Sequence, residues 1–422
     1  MSTISNPFRP GAGHRPPYLA GRFQEIEGFK KLLNQEVIVD NLVLTGLRGV
    51  GKTVLLDEFR PLSIEAGWLW VGTELSESTC VSEDTIALRL ITDLAVVTSG
   101  IIISSEVQKT FGFSRVEKRI ETQLDYYTLK SVYEELPGLS SDKLKGVLEL
   151  VWSCIQNKGY RGIIFAYDEA QTMSDQAQKE QYPLSLLLEV FQSIQRKNIP
   201  FMLILTGLPT LFPKLVEART FAERMFSVMF LDRLGKKDSR DAIVEPVKKS
   251  HCLVKFSTNA IDEIVKSSGG YPYFIQYICK EAFDMYLQEL KITQDPQIDY
   301  RKAVEEITRK LDNDFFAGRW ARATDRQREL LHVIANLNTS DEEFSVQEVV
   351  EAARKLKKPF SSSHVNQMLN TLTLMGLVYK NRHGRYSFAV PLLGEYIRRQ
   401  ERESMKRKGQ MELFTRDDFN RQ

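Results

Sequence analysis

Apolar positions change their spacing along this chain. "NLVLTG" (41–46), "GIIFAY" (162–167) and "IPFMLILTGLP" (199–209) carry consecutive apolar residues, closed by glycine or polar residues. Runs this short read as strands buried on both faces. "SVMFLDRL", ending at Leu234, reads as a further strand, and the helix before it carries Arg219 and Arg224. An amphipathic pattern follows Gly51 to about Ala66. Residues 75–155 hold helical stretches such as "EDTIALRLITDLAVV" and "LKGVLELVWSCIQNK", with the charged "SRVEKRIETQLDYYTLKSVYEEL" between them. Strands alternating with helices predict an α/β core on a parallel sheet.

Beyond the last strand the pattern is helical. "SSGGYPYFIQ" (267–276) interrupts it: Gly269 and Gly270 close one helix and Pro272 opens the next. From about Thr324 three shorter helices follow, "TDRQRELLHVIANL", "FSVQEVVEAARKLK" and "SSSHVNQMLNTLTLMGLV". In the third, Val365, Met368, Leu369, Leu372 and Leu374 form the expected buried face. "VYKNRHGRYSFAV" then alternates and turns at His383-Gly384, a hairpin signal. Three helices and a hairpin resemble a winged helix, a fold that binds DNA or docks on protein.

Composition narrows the class. With 422 residues, the chain has room for two or three domains. The most apolar run, "LAVVTSGIII" near 94–103, is far shorter than the roughly 20 residues of a membrane span. The start lacks the basic and apolar regions of a secretory signal. Cys80, Cys154, Cys252 and Cys279 have no paired spacing, and the five histidines have no metal spacing. A cytoplasmic protein without membrane or zinc chemistry is expected. Net charge is only +2, yet Ala352–Lys408 holds thirteen Lys/Arg against Glu395, Glu401 and Glu403. That local excess fits an anionic partner or a solvated basic face.

The sharpest signal follows the first strand. Gly46-Leu-Arg-Gly-Val-Gly51-Lys52-Thr53 matches G-x-x-x-x-G-K-[ST] between a strand and a helix. Its glycines let backbone N–H groups face phosphate oxygens, and the helix N-terminus adds positive potential. Gly46, Arg48, Gly49, Val50, Gly51, Lys52, Thr53 and Val54 are therefore the expected ATP-binding residues. Lys52 would reach the terminal phosphates, and Thr53 would bind Mg2+. Arg48 would hold phosphate or pair with an acid.

A second strand, 162–167, ends in Asp168-Glu169. Asp168 is the expected partner of Thr53 in holding Mg2+. Glu169 is the expected general base for an attacking water. The strand at 199–209 ends in Thr206-Gly207; between the other two strands, it would turn Thr206 toward phosphate and water. Lys52, Glu169, Thr206 and Arg224 are the expected catalytic set, with Arg224 preferred to Arg219 as an arginine offered to a neighbouring subunit.

Taken in order, "PPYLAGRFQEIEGFKKLL", GLRGVGKT, IIFAYDEAQ, LILTGLP and GGYPYFIQ resemble the AAA+ P-loop ATPases of the initiator, origin-recognition-like type, and are similar to STAND NTPases. The resemblance covers roughly residues 15–300. It implies a three-layer core on a five-stranded parallel sheet, then an α-helical lid and a winged-helix domain. It also implies nucleotide between core and lid, with Gly21 and Arg22 bordering the adenine. The lid corner carries no arginine from Ser267 through Lys280, so Tyr271 and Pro272 are expected to meet base or sugar. The expected division is a Pro-rich segment 1–20, core 21–234 with a helical insert at about 75–155, lid 235–317, winged helix 318–400 and polar tail 401–422.

The function expected is Mg2+-dependent ATP hydrolysis coupled to a partner through the winged helix. Double-stranded DNA would meet Lys380, Arg382 and Arg385 on the wing, with Lys355, Lys357 and Lys358 nearby. Ser361, Ser362, Ser363, His364, Asn366, Gln367 and Asn370 would line the exposed face of the third helix. The alternative is a slow nucleotide-held switch of STAND type, with the winged helix docking on protein. A homo-oligomer or a protein partner fits either.

Overall fold

The computed structural model describes residues 5–11, 13–109, 117–250, 255–293, 297–298, 300–338, 343–382 and 384–404. The chain forms two compact units. One comprises Arg22–Gly46 and Gly51–Leu231; the other comprises Met1–Gly21, Leu47–Val50 and Asp232–Gln422.

The first unit is built on five parallel strands: β1 (Asn41–Gly46), β2 (Trp68–Val71), β3 (Gly162–Tyr167), β4 (Phe201–Gly207) and β5 (Phe226–Leu231), in the order β2-β3-β4-β1-β5. β1, β3 and β4 are buried at every residue, as their unbroken apolar runs require. The edge strand β5 exposes Ser227, Val228 and Phe230. Asn41 fixes how β1 enters the sheet. Its side chain donates to the Met225 carbonyl (3.1 Å) and accepts from the Leu203 N–H (2.7 Å), tying β1 to both neighbours. Its helices include Phe23–Leu33, Lys52–Glu65, Glu83–Thr98, Tyr126–Glu135, Ser140–Ile155 and Pro183–Arg196. Phe165 of β3 meets the edge of Phe191 at 5.0 Å and lies 5.6 Å from Phe201. Truncating a ring so buried removes about 3–5 kcal/mol of stability.

The insert differs from the all-helical expectation. Ile102–Lys109 and Glu117–Gln123 pair as an antiparallel hairpin. "EKRIETQ" puts polar residues on both faces of a strand, so no apolar alternation announces it.

In the second unit, helices Lys236–Lys249, Thr258–Ser268, Pro272–Thr293 and Tyr300–Leu311 precede a π-helical turn, Asp312–Ala317. The corner at 269–272 is a fixed joint. Gly269 closes its helix in the left-handed region, and Gly270 follows with φ +79°. The Leu234 N–H donates to the Gly270 carbonyl (2.8 Å), and a Cβ on Gly270 would stand 2.5 Å from the Leu234 carbonyl oxygen. Glycine is therefore required there for approach as well as for φ. Phe8 of the N-terminal segment packs edge-on against Phe256 and Phe283 in the same unit.

Helices Asp325–Ala335, Val346–Ala352 and Ser362–Leu374 then pack with a three-stranded sheet ordered Phe344–Ser345, Arg385–Phe388, Val378–Arg382. Thr324 opens the first of these helices with a reciprocal cap to Gln327. Val365, Met368, Leu369 and Leu372 are buried as their spacing requires, but Leu374 is 90% exposed because it lies on the opposite face, in line with the exposed Gln367 and Asn370. The turn residue His383, the side chain of Arg382 and the tail from 405 lie outside the described residues. No helix among the described residues is long and apolar enough to cross a membrane.

Candidate active site

Within the first unit, β1 ends at Gly46 and the following helix begins at Lys52, capped by Gly51 at φ 95°. Lys52 is buried at 8% exposure, and its Nζ donates to the Gly46 carbonyl at 2.9 Å. The ammonium thus lies against the start of its own loop. One residue on, the Thr53 hydroxyl donates to Asp168 Oδ2 at 2.5 Å. The strand order makes this meeting possible: β4 lies between β1 and β3, with Leu44 opposite Thr206 and Tyr167 opposite Leu205. All three strands run parallel, so their carboxyl ends gather at one edge of the sheet.

Burial is the largest influence on Asp168 and pushes its carboxyl above the ordinary range, against the Thr53 hydrogen bond. Asp57, one turn after Thr53, is also raised, first by burial and then by the charge of Asp168. Two carboxylates that disfavour each other beside a threonine hydroxyl form an oxygen-only donor set. Such a set suits a hard divalent cation such as Mg2+, which relieves that repulsion. Asp57 was not among the expected residues. Its place four residues after Thr53, on the same helical face, is the signal that could have found it.

Glu169 has φ 51° and ψ 33°, a backbone region costly for a residue with a side chain. Its N–H donates to Asp168 Oδ1 at 2.8 Å, so the strained turn also steadies the neighbouring acid. The Gln171 side-chain amide donates to the Glu169 carboxylate. The other end of that amide accepts from the Leu208 N–H at 3.0 Å, and the Gln171 carbonyl accepts from Lys214 Nζ at 2.7 Å. Gln171 therefore links the acid after β3 to the end of β4, and sequence pattern does not mark it.

Thr206 is fully buried, and its hydroxyl has no hydrogen-bond partner among the described residues. An unpaired buried hydroxyl is unfavourable by about 1–3 kcal/mol.

The arginines fall elsewhere than one helix. Leu211–Ala218 ends before Arg219, whose backbone is extended, and Arg224 lies on the separate short helix Ala222–Met225. Arg219 pairs with Glu189 at 3.4 Å. Arg224 is exposed and has no ion pair among the described residues. Arg22 is buried at 6% exposure and pairs with Glu25 at 3.2 Å.

The second unit contains the tip of the phosphate loop. The Tyr273 N–H donates to the Gly49 carbonyl at 3.1 Å. Gly49 has φ +80°, and a Cβ there would lie 3.2 Å from that of Tyr273. The corner at 267–276 thus meets the loop tip through Tyr273. Tyr271 stands edge-on to Phe274, 6.3 Å away. Gly21, at φ +63°, lies close to Asp238.

In the winged-helix-like region, Ser361 to His364, Asn366, Gln367 and Asn370 are exposed, as are Lys355, Lys357, Lys358 and Lys380. Arg385 is not a free cation: it pairs with Glu348 at 3.1 Å.

No curated protein matches the chain. A family described as "Domain of unknown function (DUF8462)" matches residues 313–397. Among solved structures, the Walker-type ATPase PABY2304 of Pyrococcus abyssi aligns with TM-score 0.55 and 16% identity, covering 91% of this chain and 97% of that one. The Aeropyrum pernix ORC2 protein, solved as ADPNP–ADP complexes, aligns with TM-score 0.53 and 13% identity, covering 94% and 98%. The chain has the AAA+ ATPase fold: the parallel P-loop core, the helical region and the small antiparallel sheet at its C-terminal end.

Proposed function

We propose that this chain binds ATP with Mg2+ on the loop from Gly46 to Thr53, hydrolyses it slowly, and passes its nucleotide state to DNA or a protein partner through the winged helix. The observation that carries the reading is the Thr53 hydroxyl on the Asp168 carboxylate, with Lys52 buried against Gly46. The A. pernix ORC2 protein was solved with ADPNP and ADP, and nucleotide of the same class is proposed here.

Thr53 and Asp168 would hold Mg2+, with Asp57 behind them. Mg2+, when bound, neutralises phosphate charge. Lys52 would release Gly46 and turn to the terminal phosphates. Glu169 would take a proton from the attacking water, and the unpaired Thr206 hydroxyl would hold water or phosphate in line. The division into core, lid and winged helix remains part of this proposal.

A second reading, a nucleotide-held switch with little turnover, draws support from the Gln171 clasp on Glu169. A base held by a neighbouring amide is less ready to accept a proton from water. Phosphate release separates the two readings, measured with and without double-stranded DNA. Under the first, Glu169→Gln lowers turnover by about 10²–10⁴-fold and leaves binding of a fluorescent ATP analogue intact. A wild type without turnover under both conditions defeats the first reading and leaves the switch.

A further inference from the structure

The edge strand β5 has a neighbour on one side alone. All its residues, Phe226–Leu231, pair with Asn41–Gly46 of β1, and among the described residues no other strand joins it. Such an edge offers unpaired N–H and C=O groups. Proteins ordinarily guard it with lysine, proline, a bulge or a covering element. "FSVMFL" has no charge and no proline, and its pairing with β1 keeps register from end to end.

Side chains alternate along the strand. Met229 faces the helix Phe23–Leu33, where a Cβ on Gly28 would stand 3.4 Å from the Met229 methyl. Phe226, Val228 and Phe230 share the opposite face. Phe226 is buried, but Val228 is 42% and Phe230 55% exposed. The single chain therefore leaves two large apolar side chains uncovered at an unguarded edge.

The charges flanking the strand indicate what covers it. Glu223 and Arg224 precede it, Asp232 and Arg233 follow it directly in the chain, and all four are exposed. A second copy laid antiparallel, with the two Val228 residues opposite each other, sets Phe226 opposite Phe230. The same register brings Arg224 of one copy toward Asp232 of the other, and Glu223 toward Arg233. One register satisfies all of these pairs, whereas a parallel arrangement would set like charge beside like. Pairing about a two-fold axis asks only that the strand complement itself.

We propose that two copies of this chain pair through the outer edges of Phe226–Leu231, antiparallel about Val228, and join their parallel sheets into one continuous sheet. The inference is independent of the nucleotide reading. So short a contact is small, so the dimer is weak and forms as concentration rises.

The test is sedimentation velocity of the full chain, without nucleotide, over about a hundredfold range of concentration. The wild type should pass from monomer to dimer. Val228→Lys sets two like charges on the two-fold axis and should raise the dissociation constant about tenfold or more. Glu223→Arg should raise it about threefold or more, and Glu223→Arg with Arg233→Glu should restore it, because the exchange keeps opposite charges together. An unchanged circular dichroism spectrum reports that each variant is folded. A wild type that stays monomeric throughout overturns the proposal and leaves the edge to an extended segment of another protein. A dimer as tight in Val228→Lys as in the wild type overturns the placement at β5. A dimer weakened by Glu223→Arg and not recovered by the exchange overturns the antiparallel register.

Discussion

The side-chain amide of Gln171 holds the carboxylate of Glu169 with one end and the Leu208 N–H, 3.0 Å away, with the other. The proposed base is thereby engaged before any water reaches it. Gln171→Leu should free Glu169 and raise ATP turnover several-fold, with nucleotide affinity unchanged. Steady-state phosphate release checks this. A fall in turnover would mean that the amide aims Glu169 rather than restrains it.

Thr206 gives a prediction in which stability and activity part company. Its hydroxyl is fully buried and unpaired, so Thr206→Val removes an unsatisfied group while keeping the branched shape. The thermal midpoint should stay constant or rise by a few degrees. Turnover should nevertheless fall about tenfold or more, because the same hydroxyl would hold water or phosphate. Loss of midpoint and turnover together would point to a packing role.

Asp168 supplies a pH dependence whose sign can be worked out. Burial raises its folded pKa above the unfolded value, so the folded state favours the neutral acid. Its stabilising contribution is complete below the unfolded pKa of about 3.9 and is lost as pH rises through the raised folded value. The raised pKa therefore makes the nucleotide-free protein less stable at neutral pH than in acid, as far as this group contributes. Asp168→Asn should raise the midpoint at pH 7, by an amount that shrinks as pH falls toward the ordinary aspartate range. The same variant should lose the extra stability that Mg2+ adds to bound nucleotide. Scanning calorimetry across pH, with and without Mg2+ and ADP, measures both effects.

These groups were not equally legible in the sequence. Gly162–Tyr167 could be read to the residue, because a strand buried on both faces must be apolar throughout. The meeting of Thr53 with Asp168 follows from the carboxyl ends of two parallel strands on either side of β4, and motif spacing suffices to expect it. Gln171 was invisible: it lies in a short 3-10 turn, where no periodicity separates a functional amide from a solvated one. Asp57 reads as an ordinary helix-surface acid in the sequence, because its nearness to Asp168 is set by tertiary packing. The place of Tyr273 depends on tertiary packing across a long stretch of chain, which local pattern cannot report. The strand Glu117–Gln123 escaped because its residues are polar on both faces.

Arg385, one of the three cations expected to meet DNA on the wing, is paired with Glu348. An arginine already neutralised contributes little to phosphate binding until that pair is broken. Lys355, Lys357 and Lys358 are exposed and lie just before the helix Ser362–Leu374, whose polar face carries Asn366, Gln367 and Asn370. If double-stranded DNA is the partner, changing the three lysines to alanine should weaken binding and flatten its salt dependence. The slope of log affinity against log salt should fall by about 0.9 for each phosphate contact removed. Arg385→Ala should change affinity by less than any one of those lysines. Fluorescence anisotropy with a labelled duplex at several salt concentrations measures both. A larger loss from Arg385→Ala would return the contact to the wing, and an unchanged slope in the triple variant would turn this face toward a protein partner.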